Sequence, residues 1–199
     1  MPEGYRSYKL ECGHTHVWCK QRKTDECGMA CCGMIIAMKK GKYTALSTLR
    51  QQSQMLGGLY YKPSTEDARA PVNDPRYAAM AAIFMRNKQS EAGTGGSNVA
   101  KLLKHSYGLD TSYRYDRDEA PGKIRQAVAA GKMLIAGVSW PTGGGHFIVV
   151  HNSYKGKYCI LDPGADDMGL IRTTNVGSSR YYPPGGGYGI FDEWIVVNG

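Results

Sequence analysis

No stretch of this 199-residue chain is apolar for long enough to cross a membrane as a helix, which takes roughly 18 to 20 consecutive apolar residues. The longest apolar run, Met133-Leu-Ile-Ala-Gly-Val138, has the length of one strand. The start, Met1-Pro-Glu-Gly-Tyr-Arg6, has no apolar core of the kind a secretory signal peptide carries. The expectation is a chain that works in the cytoplasm, is delivered into a target cell by a specialised secretion system, or is a piece of a longer protein. Internal repeats are missing, as are a linker-like shift of composition and any zinc-finger or other nucleic-acid-binding motif. Acidic residues are in deficit: 17 Asp and Glu stand against 25 Lys and Arg, a net charge of +8. An excess of this sign can attract acidic partners. Yet the basic residues are spread along the chain, apart from Lys20, Arg22 and Lys23 and from Lys39, Lys40 and Lys42. A solvated cationic surface explains them better than a nucleic-acid interface does.

What is present suffices for a compact fold. The hydrophobic share is 42% and there are 26 glycines, which suits one domain over residues 1–199 with a sizeable core and many turns. The most telling stretch is Gln21-Arg-Lys-Thr-Asp-Glu-Cys27-Gly-Met-Ala-Cys-Cys-Gly-Met-Ile-Ile-Ala-Met38. Cys27, Ala30, Cys31, Met34, Ile35 and Met38 recur at helical spacing and form an apolar stripe. Thr24 and Asp25 are candidate N-caps. Cys27 then falls in the first turn, where the positive end of the helix dipole favours a thiolate, the nucleophilic form of cysteine. Gln21, six positions earlier, can aim its amide at an oxyanion beside that sulfur.

The second half supplies a base. Gly143-Gly-Gly-His146-Phe-Ile-Val-Val-His-Asn152 reads as a glycine loop entering a strand with His146 at its start. After a turn at Tyr154-Lys-Gly-Lys157 comes a second strand ending in Leu161-Asp162-Pro163-Gly164. A hairpin of this register returns Asp162 towards His146. Nucleophile, base and carboxylate orienter are the parts a thiol acyl-transfer enzyme needs. His151 is the rival base, but five residues on it points to the opposite face of the strand. Asp166, Asp167 and Asn152 are rival orienters.

Gln21…Cys27-Gly-x-Ala-Cys, then Gly145-His146-Phe-x-Val-Val, then Leu161-Asp162-Pro163 resembles the papain-like cysteine peptidase superfamily. The likeness is greatest to the bacteriocin-processing peptidases that cut after a double glycine and to papain-like effector proteases of bacteria. The resemblance implies an α+β papain-like fold, with an N-terminal helical part carrying the nucleophile helix packed on a C-terminal antiparallel sheet. It implies Cys27 as nucleophile, His146 as base and acid, Asp162 as orienter and Gln21 as part of the oxyanion hole, with no cofactor and no metal. It also implies a protein or peptide substrate, an effector or toxin role, and an immunity or inhibitor protein as a partner. Amidase or deamidase chemistry, or a catalytically dead binding module, are the alternatives on the same fold. The middle, from Lys39 to Tyr115, carries no family signature.

The remaining elements follow from local signals. Helices are expected over residues 43–56, 77–85 and 98–105, and over 120–130 with a proline in its first turn. Strands are expected around Leu134, Ile148 and Ile160 and from Ile190 to Val197. The helical half then runs over about residues 20–130 and the sheet half over about 131–199. The six cysteines, Cys12, Cys19, Cys27, Cys31, Cys32 and Cys159, include three in one helix, which argues for reduced thiols. Cys12-Gly-His14-Thr-His16-Val-Trp-Cys19 is dense enough in ligands for zinc. Its spacing is atypical of a tetrahedral site, so a strand bordering the cleft, with His14 and His16 on one face, is the expected reading.

Overall fold

The computed structural model describes residues 3–9, 12–23, 25–56, 94–165, 175–183 and 186–198. The expected helix over 77–85 lies outside the described residues, as do the rival orienters Asp166 and Asp167.

Elements follow one another as β1 (Tyr5–Lys9), β2 (Thr15–Cys19), α1 (Cys27–Lys40), α2 (Leu46–Met55), α3 (Gly96–Tyr107), β3 (Asp110–Tyr115), α4 (Ala120–Ala129), β4 (Met133–Ser139), β5 (Gly145–Tyr154), β6 (Lys157–Leu161), β7 (Arg180–Tyr181) and β8 (Gly189–Asn198). β1 and β2 form an antiparallel ribbon. The main sheet has the order β3-β8-β4-β5-β6, with β7 added to β8, and every pairing in it is antiparallel.

The sheet is covered on both faces. Alternate side chains go to opposite sides of a strand, and the core divides accordingly. Met133, Ile135, Phe147, Val149, Leu161, Ile195 and Val197 face α1, α3 and the β1–β2 ribbon. Leu134, Ala136, Val138, Ile148, Val150, Ile160 and Phe191 face the opposite way, against Ile124 and Val128 of α4. The N-terminal helical part that begins with α1 packs on a mainly C-terminal antiparallel sheet, as expected. β3 comes before α4 in the chain yet pairs with the last strand, and α4 packs on the far side of the sheet. Neither β1 nor β3 was expected. Their residues are largely exposed and polar, so they carry little of the apolar alternation by which strands are read.

α1 is the central element. The expected stripe was too narrow, because every residue from Cys27 to Ala37 is buried. A helix buried all round carries small residues where a neighbour approaches closely, and Gly33 is the clearest case. A Cβ there would collide with the hydroxyl of Tyr5 and sit 3.1 Å from its Cζ. Tyr5 cannot easily yield, since it is buried and donates to the Thr44 carbonyl at 2.6 Å. Gly33→Ala is therefore expected to destabilise the fold by about 1–3 kcal/mol, the usual range for overpacking. Chemical denaturation checks this, and a variant as stable as the native chain would contradict the packing described. The helix ends at Gly41, in the left-handed conformation at φ 64°, which glycine adopts without strain.

Candidate active site

Three separate elements bring their chemistry to one end of the sheet. Cys27 is the first residue of α1 and is almost buried. Of the two expected caps, Thr24 lies outside the described residues and Asp25 does not cap: Glu26 occupies the N-cap position and makes no side-chain cap to the helix. The physical reason is that its carboxylate is engaged elsewhere. One oxygen accepts from the backbone N–H groups of Arg22 (2.9 Å) and Lys23 (3.2 Å), and the other from the Arg50 guanidinium at 2.7 Å. Asp25 joins Arg50 at 3.9 Å. The first turn of α1 holds no acidic residue, so nothing there offsets the positive end of the dipole beside the sulfur.

Glu26 thus folds the segment that connects Gln21 to Cys27, while Arg50 on α2 balances its charge. Glu26→Ala would remove the acceptor of two part-buried N–H groups and the nearer of the two carboxylates at the Arg50 guanidinium. A loss of about 3–5 kcal/mol is expected, as for any broken buried pair. Thermal unfolding tests it, and an unchanged midpoint would show that the loop holds itself.

His146 stands at the second position of β5, opposite Val138 of β4. The turn before it runs from Trp140 to Gly144 and is closed by two hydrogen bonds of 3.0 Å. Gly143 and Gly144 take φ of 92° and 81° there, where a side chain would be strained. The β5–β6 hairpin turns at Lys155 and Gly156, both with positive φ, and pairs Val149 with Leu161. That register carries Asp162 back beside His146, and His146 Nε2 meets Asp162 Oδ1 at 2.7 Å. The Cys27 thiol is close enough to the imidazole to help raise its pKa, and the second ring nitrogen is not taken up by Asp162. The Trp140 indole stacks on the imidazole with ring centres 6.0 Å apart.

Asp162 is held from several sides. It accepts from the Gly164 N–H (2.8 Å) and from the Tyr181 hydroxyl (2.5 Å), and the Trp18 indole N–H donates to its backbone carbonyl at 2.7 Å. Burial alone would raise its pKa, but the bonds and charge from His146 and the bonds from Tyr181 and Gly164 hold it below the usual carboxylate range. Burial would likewise lower the pKa of His146. Its bonds to Asp162 and Cys27 outweigh that and lift it to about 10. The imidazole is therefore cationic at neutral pH and a donor on both nitrogens.

Gln21 is tied to this end of the fold through its backbone: its N–H donates to the Pro163 carbonyl at 3.0 Å. Its side-chain oxygen is buried without a hydrogen-bond partner. Asn152 and His151 are not part of the constellation. Asn152 is at the far end of β5, against His14 at 2.9 Å, and His151 meets His16 at 2.9 Å. The ligand-dense segment divides in the same way. Cys19 contacts the Lys20 carbonyl at its own end of β2, away from Cys12, which contacts His16. His14 and His16 lie on one face, as expected, since both rings meet that of His151, at 5.8 and 4.6 Å between centres, with His16 buried and His14 exposed. Among the described residues, no three His, Cys, Asp or Glu side chains are grouped as a metal site.

Glu26, Arg50, Trp18 and Tyr181 had no local signal. Each acts through a partner distant in the chain, so neither spacing nor composition marks it.

The arrangement has the geometry of a thiol–imidazole–carboxylate acyl-transfer site at the start of a buried helix. No family model matches the chain, and neither does any curated protein. Among solved structures, the fold is similar to the peptidase domain of Streptococcus ComA, a bifunctional ABC transporter involved in a quorum-sensing pathway. That likeness has a TM-score of 0.51 at 13% identity and covers 90% of this chain and 96% of that one. A C39-like peptidase of Bacillus anthracis aligns with a TM-score of 0.49 at 12% identity, over 90% of this chain and 92% of the other. The papain-like α+β fold expected from the sequence is the fold of this chain. Among the described residues, no helix is long and apolar enough to cross a membrane.

Proposed function

We propose that this chain is a cysteine peptidase that hydrolyses a protein or peptide substrate through a thioester on Cys27. The supporting observation is the alignment of Cys27, His146 and Asp162, joined by the 2.7 Å bond between imidazole and carboxylate. In this reading the Cys27 sulfur attacks the scissile carbonyl as a thiolate. The first-turn N–H groups of α1 and the Gln21 amide stabilise the oxyanion, with roughly 3 to 4 kcal/mol for each well-placed donor. The His146 imidazolium gives its proton to the leaving amine. Neutral His146 then takes a proton from water, which attacks the thioester and releases the acid product. Asp162 keeps the imidazole in place and balances its charge.

The substrate preference we propose is for small residues ahead of the cut, Gly-Gly in the first instance, from the likeness to double-glycine peptidases. The test is mapping of new protein N-termini in cells that express the native chain or Cys27→Ala. Termini preceded by Gly-Gly that appear only with the native chain support the full reading. Native-dependent termini with other sequences would remove the preference and keep the peptidase. Substrates that gain the mass of a deamidation without new termini would assign the site to deamidase chemistry instead.

A further inference from the structure

A second thiol–imidazole pair lies at the opposite end of the strands that carry the candidate active site. Cys12, in the connection between β1 and β2, has its sulfur 3.1 Å from His16 Nε2. His16 Nδ1 is in turn 2.9 Å from His151 Nδ1 on β5, and the His16 and His151 rings meet edge to face at 4.6 Å. His16 is 1% exposed, so both its nitrogens must find partners inside the protein. Two tautomers satisfy them, and in the one with the proton on Nδ1, donated to His151, the Nε2 lone pair accepts the Cys12 S–H. Cys159 on β6 pairs with Asn152 of β5, whose side chain meets His14 at 2.9 Å, which brings its thiol to the Cys12 end of the β1–β2 connection. Both cysteines are free thiols, Cys12 partly exposed and Cys159 buried. Neither they nor His16 has a part in the peptide chemistry proposed above.

We infer that Cys12 and Cys159 form a peroxide-sensitive dithiol, with Cys12 the sulfur that is oxidised, His16 its proton acceptor and Cys159 the resolving thiol. The exposed member faces the oxidant and has a base in place, which are the conditions for selective thiol oxidation. The buried member is poorly placed to react first: burial and the neighbouring sulfur raise its pKa to about 11. Burial, with the adjacent imidazoles, lowers the pKa of His16 and His151 to about 4, so both are neutral at neutral pH and His16 can hold the thiol proton only in passing, as a relay.

The chemistry balances with hydrogen peroxide as oxidant. The Cys12 sulfur attacks one peroxide oxygen as His16 takes its proton. The O–O bond breaks to give Cys12 sulfenic acid and hydroxide, and the hydroxide takes that proton to become water. The Cys159 sulfur then attacks the sulfenic sulfur. The S–O bond breaks, and the departing hydroxide leaves as water with the Cys159 proton. Two thiols and one peroxide become one disulfide and two waters. The product joins the β1–β2 connection to β6, beside the ribbon whose Trp18, with Gln21 just after it, holds the Asp162 and Pro163 backbone.

The experiment uses the full chain carrying Cys27→Ala, so that oxidation of that thiol does not intrude. One equivalent of hydrogen peroxide is added under native conditions, followed by alkylation and non-reducing peptide mapping. The expected result is a Cys12–Cys159 peptide pair lighter by about 2 Da than the two thiols, with a raised unfolding temperature. In Cys159→Ser, a sulfenic-acid probe should label Cys12. In His16→Gln, the rate of that labelling should fall at least tenfold if it still folds, and circular dichroism and the melting midpoint decide whether it does. Cross-links involving other cysteines would overturn the inference. So would Cys12 reacting no faster in the folded chain than in the urea-unfolded one. Because the readout is a cross-link in a chain without Cys27, its failure leaves the peptidase reading untouched.

Discussion

Cys27→Ala is expected to reduce hydrolysis by about 10³-fold or more, while the fold persists. The loss is large because the mechanism has no substitute for the sulfur. Cys31, one turn on, is fully buried, and burial together with neighbouring sulfurs and Asp162 pushes its pKa well above the ordinary value. It therefore stays a protonated packing residue. Cys32 is equally enclosed, and desolvation raises its pKa too. Alanine at position 27 removes only the sulfur at the start of the helix, so the melting midpoint should shift little. The measurement is product formation alongside circular dichroism. A folded variant with native turnover would remove Cys27 from the reaction, and an unfolded one would give it a structural part.

The second large effect is at Asp162. Replacement by alanine takes the acceptor away from His146 Nε2, the Tyr181 hydroxyl and the Gly164 N–H together. Tyr181 is fully buried, so its hydroxyl has no solvent to turn to. A stability loss of about 3–5 kcal/mol is expected, as for other broken buried pairs, with kcat/KM reduced by about 10²- to 10⁴-fold through misplacement of the imidazole. Asp162→Asn separates geometry from charge, since the amide oxygen can still orient the ring. It should retain more activity than the alanine variant but lose the carboxylate's effect on His146.

The pH profile distinguishes the two. With Asp162 in place, His146 holds its proton up to about pH 10. Its folded pKa is above the ordinary value near 6.5, so its contribution to stability is complete below about pH 6.5 and is lost as pH rises through about 10. The alkaline limb of kcat/KM should fall in the same upper region. In Asp162→Asn that limb should move to lower pH, because the charge that favoured the imidazolium is gone. A limb that stays where it was would mean that another group sets the proton affinity of His146.

What the sequence makes legible here is local chemistry. The nucleophile helix is announced by helical spacing just after a polar segment, and the β5–β6 hairpin by a Lys-Gly turn between two apolar runs. Hairpin register then places Asp162 beside His146 on the strength of chain pattern alone. What stays hidden is whatever depends on distant partners. Trp18 and Asp162 are 144 residues apart, and Arg50 reaches Glu26 from a different helix. The cap went to Glu26 rather than Asp25 because a carboxylate engaged with Arg50 and the preceding loop determines how the chain enters α1, a competition that no cap preference encodes. The cysteine and histidine cluster was legible as a strand, Thr15–Cys19, but its partners were not. Proximity in the chain suggested Cys12 and Cys19 as companions, whereas the fold turns Cys19 away and brings in Cys159 and His151.

The central claim is a sulfur made reactive by the imidazole beside it. The direct test is alkylation of Cys27 by a small thiol reagent, followed residue by residue by mass spectrometry in the native chain and in His146→Ala. The account predicts that at neutral pH Cys27 reacts well ahead of every other cysteine in the native chain, and that this lead is lost in the folded variant. Equal reactivity of Cys27 in the two proteins would contradict it.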